Sequence, residues 1–174
     1  MHVLLVSGST RAGSSNSLVL SELHEFRRPG VTTDYYGDLR HVPAFVPDEQ
    51  PTPAEVGDVL ARIDRADAVL FSTPEYAGGL PGSLKNLLDW TVGGGALYGK
   101  PVAWLDVANP GRGHGARAQL ETVLGYVGAR IVPAACVRIA LGRDGGRPTL
   151  PNDLDQRLVQ VLAALTGALQ EEPR

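Results

Sequence analysis

The stretch "VLLVSGSTRAGSSN", residues 3–16, joins a short apolar run directly to a loop of small, hydroxyl-bearing side chains. Residues 3–6 are all apolar, and the run ends at Ser7 and Gly8. A short, continuous apolar run of this kind is typical of a β-strand that is buried on both faces. The stretch therefore predicts a central strand, with the polar loop at its carboxyl end.

The rest of the chain repeats this pattern, because short apolar or β-branched runs alternate with apolar residues at helical spacing. The predicted strands are residues 3–6, 31–36, 68–72, 102–107 and 131–140, with an edge position or a bend at Pro133 in the last one. Residues 37–53 are rich in proline and predict a surface loop. The alternation predicts an α/β fold in which helices cover both faces of a parallel sheet. A length of 174 residues favours one domain, residues 1–174.

Composition excludes several classes of function. The net charge of −3 argues against binding to nucleic acid or to an anionic membrane, since both require a basic surface. No apolar run approaches the roughly 18 residues of a membrane span, and the apolar N-terminus is too short for a signal peptide. The single cysteine, Cys136, predicts a buried structural thiol and fits a cytoplasmic location. The four histidines are scattered, so we expect no metal site.

Ligands of open parallel sheets bind beyond the carboxyl ends of the strands, which directs attention to the first loop. Hydroxyl groups of Ser9, Thr10, Ser14 and Ser15 lie there beside the guanidinium of Arg11, just before a predicted helix. The start of a helix presents unpaired N–H groups and about half a positive charge, which together suit a phosphate. The alternative interpretation is a polar turn with a helix cap.

The loop also limits which phosphate it could hold. It lacks the Gly-x-Gly-x-x-Gly spacing of a dinucleotide site and the Gly-Lys-Ser/Thr of a nucleoside triphosphate site. A phosphatase nucleophile would require a cysteine here, and the only cysteine is far away in the sequence. The remaining hypothesis is a terminal monophosphate that is bound and not transferred.

The second loop lies in "STPEYAGGLPGSLKNLLDW", residues 72–90, at the end of the third predicted strand. The ring of Tyr76 could lie against a flat ligand, and Ala77 with the two glycines after it would let backbone N–H groups approach that ligand. A flexible turn with one surface aromatic is the alternative.

"GSTRAGSSN" followed by "PEYAGGLPGSLKNLLDW" resembles the NADPH-dependent FMN reductase family. These are flavodoxin-like proteins that include quinone, azo-dye and chromate reductases. The family pattern Gly-Ser-x-Arg-x-x-Ser-x-Asn matches at Gly8, Ser9, Arg11, Ser14 and Asn16. The resemblance implies a flavodoxin-like fold, with a five-stranded parallel sheet in the order 2-1-3-4-5.

The resemblance also implies FMN as the cofactor and a set of residues that bind it. The phosphate would contact Ser9, Arg11, Ser14, Asn16 and the backbone of Ser15. The isoalloxazine would contact Pro74, Glu75, Tyr76 and Ala77, mostly through main-chain groups. A third loop, residues 108–115, would place Asn109 and Gly111 near the polar edge of the flavin. Arg112 either contacts a phosphate of NADPH or is a solvated loop residue, and His114 is either a proton donor or the first residue of a helix.

The implied reaction is hydride transfer from NADPH or NADH to flavin N5, followed by reduction of a small-molecule electron acceptor in ping-pong order. We assign no catalytic side chain, because solvent can supply the protons. The resemblance further implies a homodimer or a dimer of dimers, with the helix that carries Lys85 and Trp90 at the subunit interface. A flavodoxin-type electron carrier and an FMN-binding sensor with little turnover are the alternatives, although carriers are usually more acidic than this chain.

Overall fold

Parallel strands form the centre of the computed structural model, which describes residues 1–109 and 111–171. The main strands are β1 (His2–Ser7), β2 (Thr32–Tyr36), β3 (Ala68–Ser72), β4 (Pro101–Asp106) and β5 (Arg130–Ile131). They lie in the order β2-β1-β3-β4-β5, and each neighbouring pair is parallel. The flavodoxin-like strand order is therefore confirmed.

Five helices cover the sheet in the described part of the chain: α1 (Ser15–Glu25), α2 (Ala54–Arg65), α3 (Gly82–Trp90), α4 (His114–Tyr126) and α5 (Leu154–Gln170). Side chains of β1 alternate between two hydrophobic cores, because successive residues of a strand point to opposite faces. Leu4 and Val6 pack into the core that includes α2, α3 and α4, whereas Val3 and Leu5 pack into the core that includes α1 and α5. Helices on both faces of the sheet are confirmed.

The fifth predicted strand, residues 131–140, is divided in the structure. β5 is followed by a 3-10 turn, Pro133–Ala135, and the chain then rejoins the sheet as β6 (Val137–Arg138), which pairs with β4 at Leu105 and Asp106. Pro133 has no N–H to donate to a strand ladder, which explains why the strand breaks there.

A two-stranded hairpin that sequence reasoning missed follows β6. It consists of β7 (Gly142–Asp144) and β8 (Arg147–Thr149), which are antiparallel. Its strands are short and exposed, so they carry no apolar alternation that would mark them. The available signal was the Gly145–Gly146 pair, whose two positive φ angles, 53° and 82°, suit a tight hairpin turn.

Helix α3 anchors the long loop before α2 within its own chain. Trp90 is 8% exposed, donates a hydrogen bond from Nε1 to the Pro43 carbonyl at 3.0 Å and meets Phe45 edge to face. Asn86 Oδ1 accepts a hydrogen bond from the Phe45 N–H at 2.8 Å. Trp90 is thus occupied inside its own chain, which leaves it little surface for a partner subunit.

The position of β1 between β2 and β3 creates the point at which strand order reverses, and ligands of such sheets bind there. Within residues 1–109 and 111–171, we find no helix that combines the length and the apolar character needed to cross a bilayer.

Candidate functional site

A cleft opens at the carboxyl ends of β1, β3 and β4, and four separate segments of the chain line it. The predicted site residues that line this cleft are Ser9, Arg11, Ser14, Ser15, Asn16, Pro74, Glu75, Tyr76 and Asn109. Ala77 and Gly111 are sequence neighbours of lining residues but do not line the cleft themselves. Pro110 of the third loop is outside the described residues. The fold therefore brings three loops that are far apart in sequence to one place.

Short-range hydrogen bonds shape the first loop. Ser14 is the N-cap of α1, and its Oγ accepts a hydrogen bond from the Asn16 N–H at 3.2 Å. Ser9 Oγ accepts from the Arg11 N–H at 3.3 Å. These contacts span two residues each, so the local sequence is enough to define the loop and the start of the helix.

Gly8 allows the first loop to lie directly against the second. A Cβ at this position would overlap the Thr73 side chain and approach Leu84 Cδ2 to 2.9 Å. The Gly8 N–H also donates to the Ser72 carbonyl at 2.8 Å. Only glycine permits this approach, which holds the two loops together at the bottom of the cleft.

The first loop fits a phosphate because it offers donors without competing acids. Within the described residues, the N–H groups of Ser14 and Ser15 donate to no protein acceptor, and Arg11 forms no ion pair. Residues 8–16 include no carboxylate. N–H groups at the start of α1, hydroxyl groups and an exposed guanidinium form the donor set that binds phosphate monoesters.

Asn16 has a second role that sequence reasoning missed. It is 6% exposed, and its amide oxygen position lies 2.9 Å from Ser72 Oγ, which is also 2.8 Å from the Leu105 carbonyl oxygen. Ser72 Oγ carries one proton and donates it to the Leu105 carbonyl, which can only accept. The hydroxyl oxygen is then an acceptor toward Asn16, so both contacts are satisfied when the Asn16 amide is oriented with Nδ2 toward Ser72. Asn16 therefore fixes the start of α1 against the ends of β3 and β4.

A tight turn fixes Tyr76 at the rim of the cleft. The Tyr76 N–H donates to the Gly79 carbonyl at 3.0 Å, and the Gly79 N–H donates back to the Tyr76 carbonyl at 2.9 Å. The residues between them, Ala77 and Gly78, have φ angles of 50° and 76°, as in a type I′ turn. The turn leaves the Tyr76 side chain 50% exposed, so a flat ligand can reach its ring.

The Glu75 side chain holds the second loop to the third. Its Oε2 accepts hydrogen bonds from the N–H groups of Gly115 and Ala116, at 2.7 and 3.2 Å, at the start of α4. A carboxylate at this end of a helix also interacts favourably with the helix dipole. The main chain of Glu75 can face the cleft while its carboxylate is engaged with α4.

Gly115 and Gln119 complete the contact between this turn and α4. A Cβ on Gly115 would overlap the Gly78 carbonyl, so the helix can approach the turn only at a glycine. One turn later, Gln119 Oε1 accepts a hydrogen bond from the Leu80 N–H at 2.8 Å. The second loop is thus fixed by α4 along its length.

Arg138, which sequence reasoning missed, organises the third loop. Its Nη2 donates to the carbonyls of Ala108 and Asn109 at 2.9 and 2.6 Å and lies 3.3 Å from the carbonyl of Arg112. Its Nε lies 3.8 Å from the Asp106 carboxylate, whose other oxygen accepts from the Ala108 N–H at 2.9 Å. A charged residue near the end of an otherwise apolar predicted strand, residues 131–140, was the signal for this role.

His114 and Cys136 have no visible catalytic role. His114 begins α4, and its exposed ring meets only the Arg117 guanidinium, at 3.3 Å, among the described residues. Burial raises the pKa of the Cys136 thiol to about 11, and the thiol donates to the Val132 carbonyl at 3.4 Å. A thiol with so high a pKa is a poor nucleophile at neutral pH, as expected of a structural residue.

Comparison with known proteins agrees with this geometry. A sequence model of the NADPH-dependent FMN reductase family matches residues 1–144. An NAD(P)H-dependent FMN reductase of Pseudomonas aeruginosa is 39% identical over 67% of this chain and 64% of its own length, which is just under two thirds of that relative. A quinone reductase of Escherichia coli K12 is 31% identical over 76% of this chain and 73% of its own.

A solved structure shares both the fold and part of the sequence. FerB, a flavoenzyme NAD(P)H:(acceptor) oxidoreductase from Paracoccus denitrificans, superposes with a TM-score of 0.71 at 25% identity, over 97% of each chain. The region matched by the family model contains the first three loops and the strands that carry them. The chain therefore belongs to the NADPH-dependent FMN reductase family.

Proposed function

We infer that this chain is an NAD(P)H-dependent FMN oxidoreductase that passes electrons in ping-pong order to a small acceptor. The observation that carries the proposal is the convergence in one cleft of an acid-free donor loop at the start of α1 with the second and third loops. Membership of a family of NADPH-dependent FMN reductases supports it. No other group of the described residues offers the same combination of a phosphate-binding helix start and an exposed aromatic ring at a sheet switch point.

Each loop has a distinct role in this proposal. Arg11, the hydroxyl groups of the first loop and the unpaired N–H groups of Ser14 and Ser15 would hold the phosphate of FMN. The turn at residues 76–79 would support the isoalloxazine, with its backbone N–H groups and the Tyr76 ring at the rim. The third loop, with Asn109 and Gly111, would lie along the polar edge of the flavin.

The bound flavin would supply the redox chemistry, namely acceptance of a hydride from NADPH or NADH and donation of two electrons to the acceptor. The chain positions the reactants and requires no acid or base of its own for this purpose. Among the described residues around the cleft, no carboxylate or imidazole is in an obvious proton-transfer position, since Glu75 is engaged with α4 and His114 is directed to Arg117. We propose a quinone, an azo compound, a metal oxyanion or free flavin as the acceptor, since an open flavin face can be reached by any of these.

Replacement of Arg11 tests the phosphate assignment. In Arg11→Ala the Kd for FMN should rise about tenfold or more, because a charge-assisted contact to a dianion is lost. The Kd is measured by titrating FMN fluorescence with apoprotein. Arg65→Ala is the matched control, since Arg65 is an exposed arginine at the far end of α2 that does not line the cleft. Equal FMN affinity in Arg11→Ala and the unmodified protein would contradict the assignment.

Rapid mixing distinguishes the reductase from the alternatives. Fast bleaching of the flavin absorbance by NADPH or NADH supports a reductase. Reduction only by a partner reductase would point to a flavodoxin-type carrier, and slow bleaching by every donor would point to a sensor.

Three further statements remain predictions. We propose that residues 1–174 form one FMN-binding domain and that the protein is cytoplasmic. We also propose a homodimer or a dimer of dimers, supported by three exposed apolar side chains next to α3 and α4. These are Val92, Tyr98 and Tyr126, which are 61%, 81% and 89% exposed.

A further inference from the structure

The β7–β8 hairpin supplies a fourth side of the cleft, beyond the three loops. Leu141, Gly142, Arg143 and Pro148 line the cleft together with the first and third loops. The family model matches residues 1–144, so β8 and Pro148 lie outside the matched region. The matched region therefore ends within the hairpin, with Arg143 on β7 inside it and Pro148 on β8 beyond it.

The register of the hairpin determines which of its side chains face the cleft. Arg143 pairs with Pro148, and Asp144 pairs with Arg147. Directly opposed residues share a face of a two-stranded ribbon, whereas neighbours along a strand point to opposite faces. Arg143 and Pro148 therefore face the cleft, and Asp144 and Arg147 face away from it, in agreement with the observed lining.

Three arginines from distant parts of the sequence therefore line one cleft: Arg11, Arg112 and Arg143. All three residues are exposed, and none forms an ion pair within residues 1–109 and 111–171. The only carboxylate in the described lining is that of Glu75, which is already bound to the start of α4. The cleft therefore has more positive charge than the first loop alone would provide.

One FMN phosphate does not account for this charge. The first loop already offers Arg11, hydroxyl groups and helix N–H groups to a monophosphate. Arg112 and Arg143 belong to the third loop and the hairpin. The Arg112 carbonyl lies 3.3 Å from Arg138 Nη2, and its guanidinium forms no ion pair with the described residues. In the described hydrogen bonds, the Arg143 guanidinium meets only the Gly146 carbonyl, at 3.3 Å. Both groups remain available to a second anion.

We propose that Arg143, with Arg112, forms an anion subsite for a phosphate group of the nicotinamide dinucleotide, separate from the FMN phosphate site. This proposal rests on the function proposed above, because it concerns the second reactant of the same cleft. The planar guanidinium suits a phosphate because it presents two parallel N–H donors. The dinucleotide offers two such groups, the pyrophosphate shared by NADH and NADPH and the 2′-phosphate of NADPH alone.

Binding of the oxidised dinucleotides to the FMN-loaded protein tests the subsite without turnover. The Kd values of NADP⁺ and NAD⁺ are measured by calorimetry for the unmodified protein, Arg143→Gln and Arg147→Gln. Arg147 is the matched control because it lies on the same hairpin, is equally exposed and faces away from the cleft. FMN content is measured in parallel from the flavin absorbance.

Arg143→Gln should weaken dinucleotide binding by about five- to tenfold, as expected for one solvent-accessible charge-assisted contact. Arg147→Gln should change it by less than about twofold, since exposed charges away from a site contribute little. A loss for NADP⁺ alone identifies the 2′-phosphate as the ligand, and an equal loss for both dinucleotides identifies the pyrophosphate. Arg143→Lys should recover part of the affinity, because the charge returns without the two parallel donors.

Three results would overturn the proposal. The first is unchanged affinity for both dinucleotides in Arg143→Gln. The second is an equal loss in Arg147→Gln, which would indicate general attraction by the hairpin charge. The third is a loss of FMN with unaltered dinucleotide binding, which would assign Arg143 to the flavin phosphate. An unmodified protein that takes up no FMN would instead contradict the proposed function itself.

Discussion

The first and third loops follow strands on either side of β3, yet they are held by different kinds of contact. Hydrogen bonds within the first loop join residues two positions apart, as in Ser14 with Asn16 and Ser9 with Arg11. The third loop depends on Arg138, whose partners are 26 to 30 positions away, at Ala108, Asn109 and Arg112.

This difference separates two ways of building a binding site. The turn and the helix cap of the first loop are shaped by its own sequence, since a serine before a helix can cap it locally. The contacts of Gly8 and Asn16 with Ser72 then join this loop to β3. The third loop obtains its shape only after β6 and α4 are in place. Substitutions that act from a distance should therefore disturb the third loop and leave the first intact.

The largest effect should come from Gly115→Ala. The added methyl group would overlap the Gly78 carbonyl, so the second loop and α4 must move apart, at a cost of about 3 kcal/mol in the free energy of unfolding. Gly125→Ala is the matched control on the same helix, because its Cβ would meet no atom within 4 Å. The control should stabilise the protein by about 0.5 kcal/mol, through a lower cost of ordering the backbone.

Urea unfolding of the two variants measures this comparison. If Gly115→Ala were as stable as Gly125→Ala, the close contact between α4 and the turn would not be a constraint. The proposed dependence of the second loop on α4 would then be wrong.

A smaller effect should follow from Arg138→Ala. The substitution leaves three loop carbonyls without this donor and Asp106 without its partner, which should cost about 2 kcal/mol of unfolding free energy. Hydrogen exchange should accelerate at the N–H groups of residues 108 and 112 and remain slow in α1. Equal acceleration of hydrogen exchange in the first loop would show that the two loops are coupled. The proposed difference between a locally shaped first loop and a third loop held from a distance would then be wrong.

The smallest effect should be seen in the labelling rate of Cys136, two positions before Arg138. Burial raises the pKa of this thiol to about 11, so the folded state favours the protonated form. The contribution of this group to the free energy of unfolding is therefore fully present below the ordinary thiol pKa and is lost as the pH rises through 11. At pH 8 a disulfide reagent should label the native protein roughly a hundredfold more slowly than the unfolded chain, because the thiolate is scarce.

The labelling rate should rise about tenfold for each pH unit between 8 and 10, following the thiolate fraction. Arg138→Ala should increase the rate at pH 8 if β6 opens when the third loop is released. Rapid labelling of the unmodified protein at pH 8 would contradict the raised pKa of this half-buried thiol.

Much of the fold could be predicted from local patterns. The third strand was predicted with its observed bounds, Ala68–Ser72, because its apolar run is short and is sharply ended by Thr73 and Pro74. The fifth strand was only partly predicted, since its apolar residues continue through Pro133 although the ladder cannot. The hairpin was missed because exposed strands have no burial pattern.

Within the candidate site, prediction succeeded where a residue acts beside its sequence neighbours. Arg11 and Ser14 could be identified from the loop in which they lie, since the helix start is a property of that segment. The roles of Glu75 and Arg138 could not, because each side chain acts on backbone groups of another element. Trp90 illustrates the same limit, since its contacts with Pro43 and Phe45 join it to a loop more than 40 positions away.

The sequence alone determined the alternation of strands and helices, and with it the end of the sheet, beyond the carboxyl termini of the strands, at which the candidate site lies. It also determined the donors and the helix cap of the first loop, because hydrogen bonds between near neighbours need no distant partner, whereas the contacts of Gly8 and Asn16 with Ser72 require the folded sheet. Only the tertiary structure decided how the second and third loops are held and that Arg143 faces the cleft. Those features depend on contacts between residues tens of positions apart, which exist only after the sheet has assembled and its helices have packed.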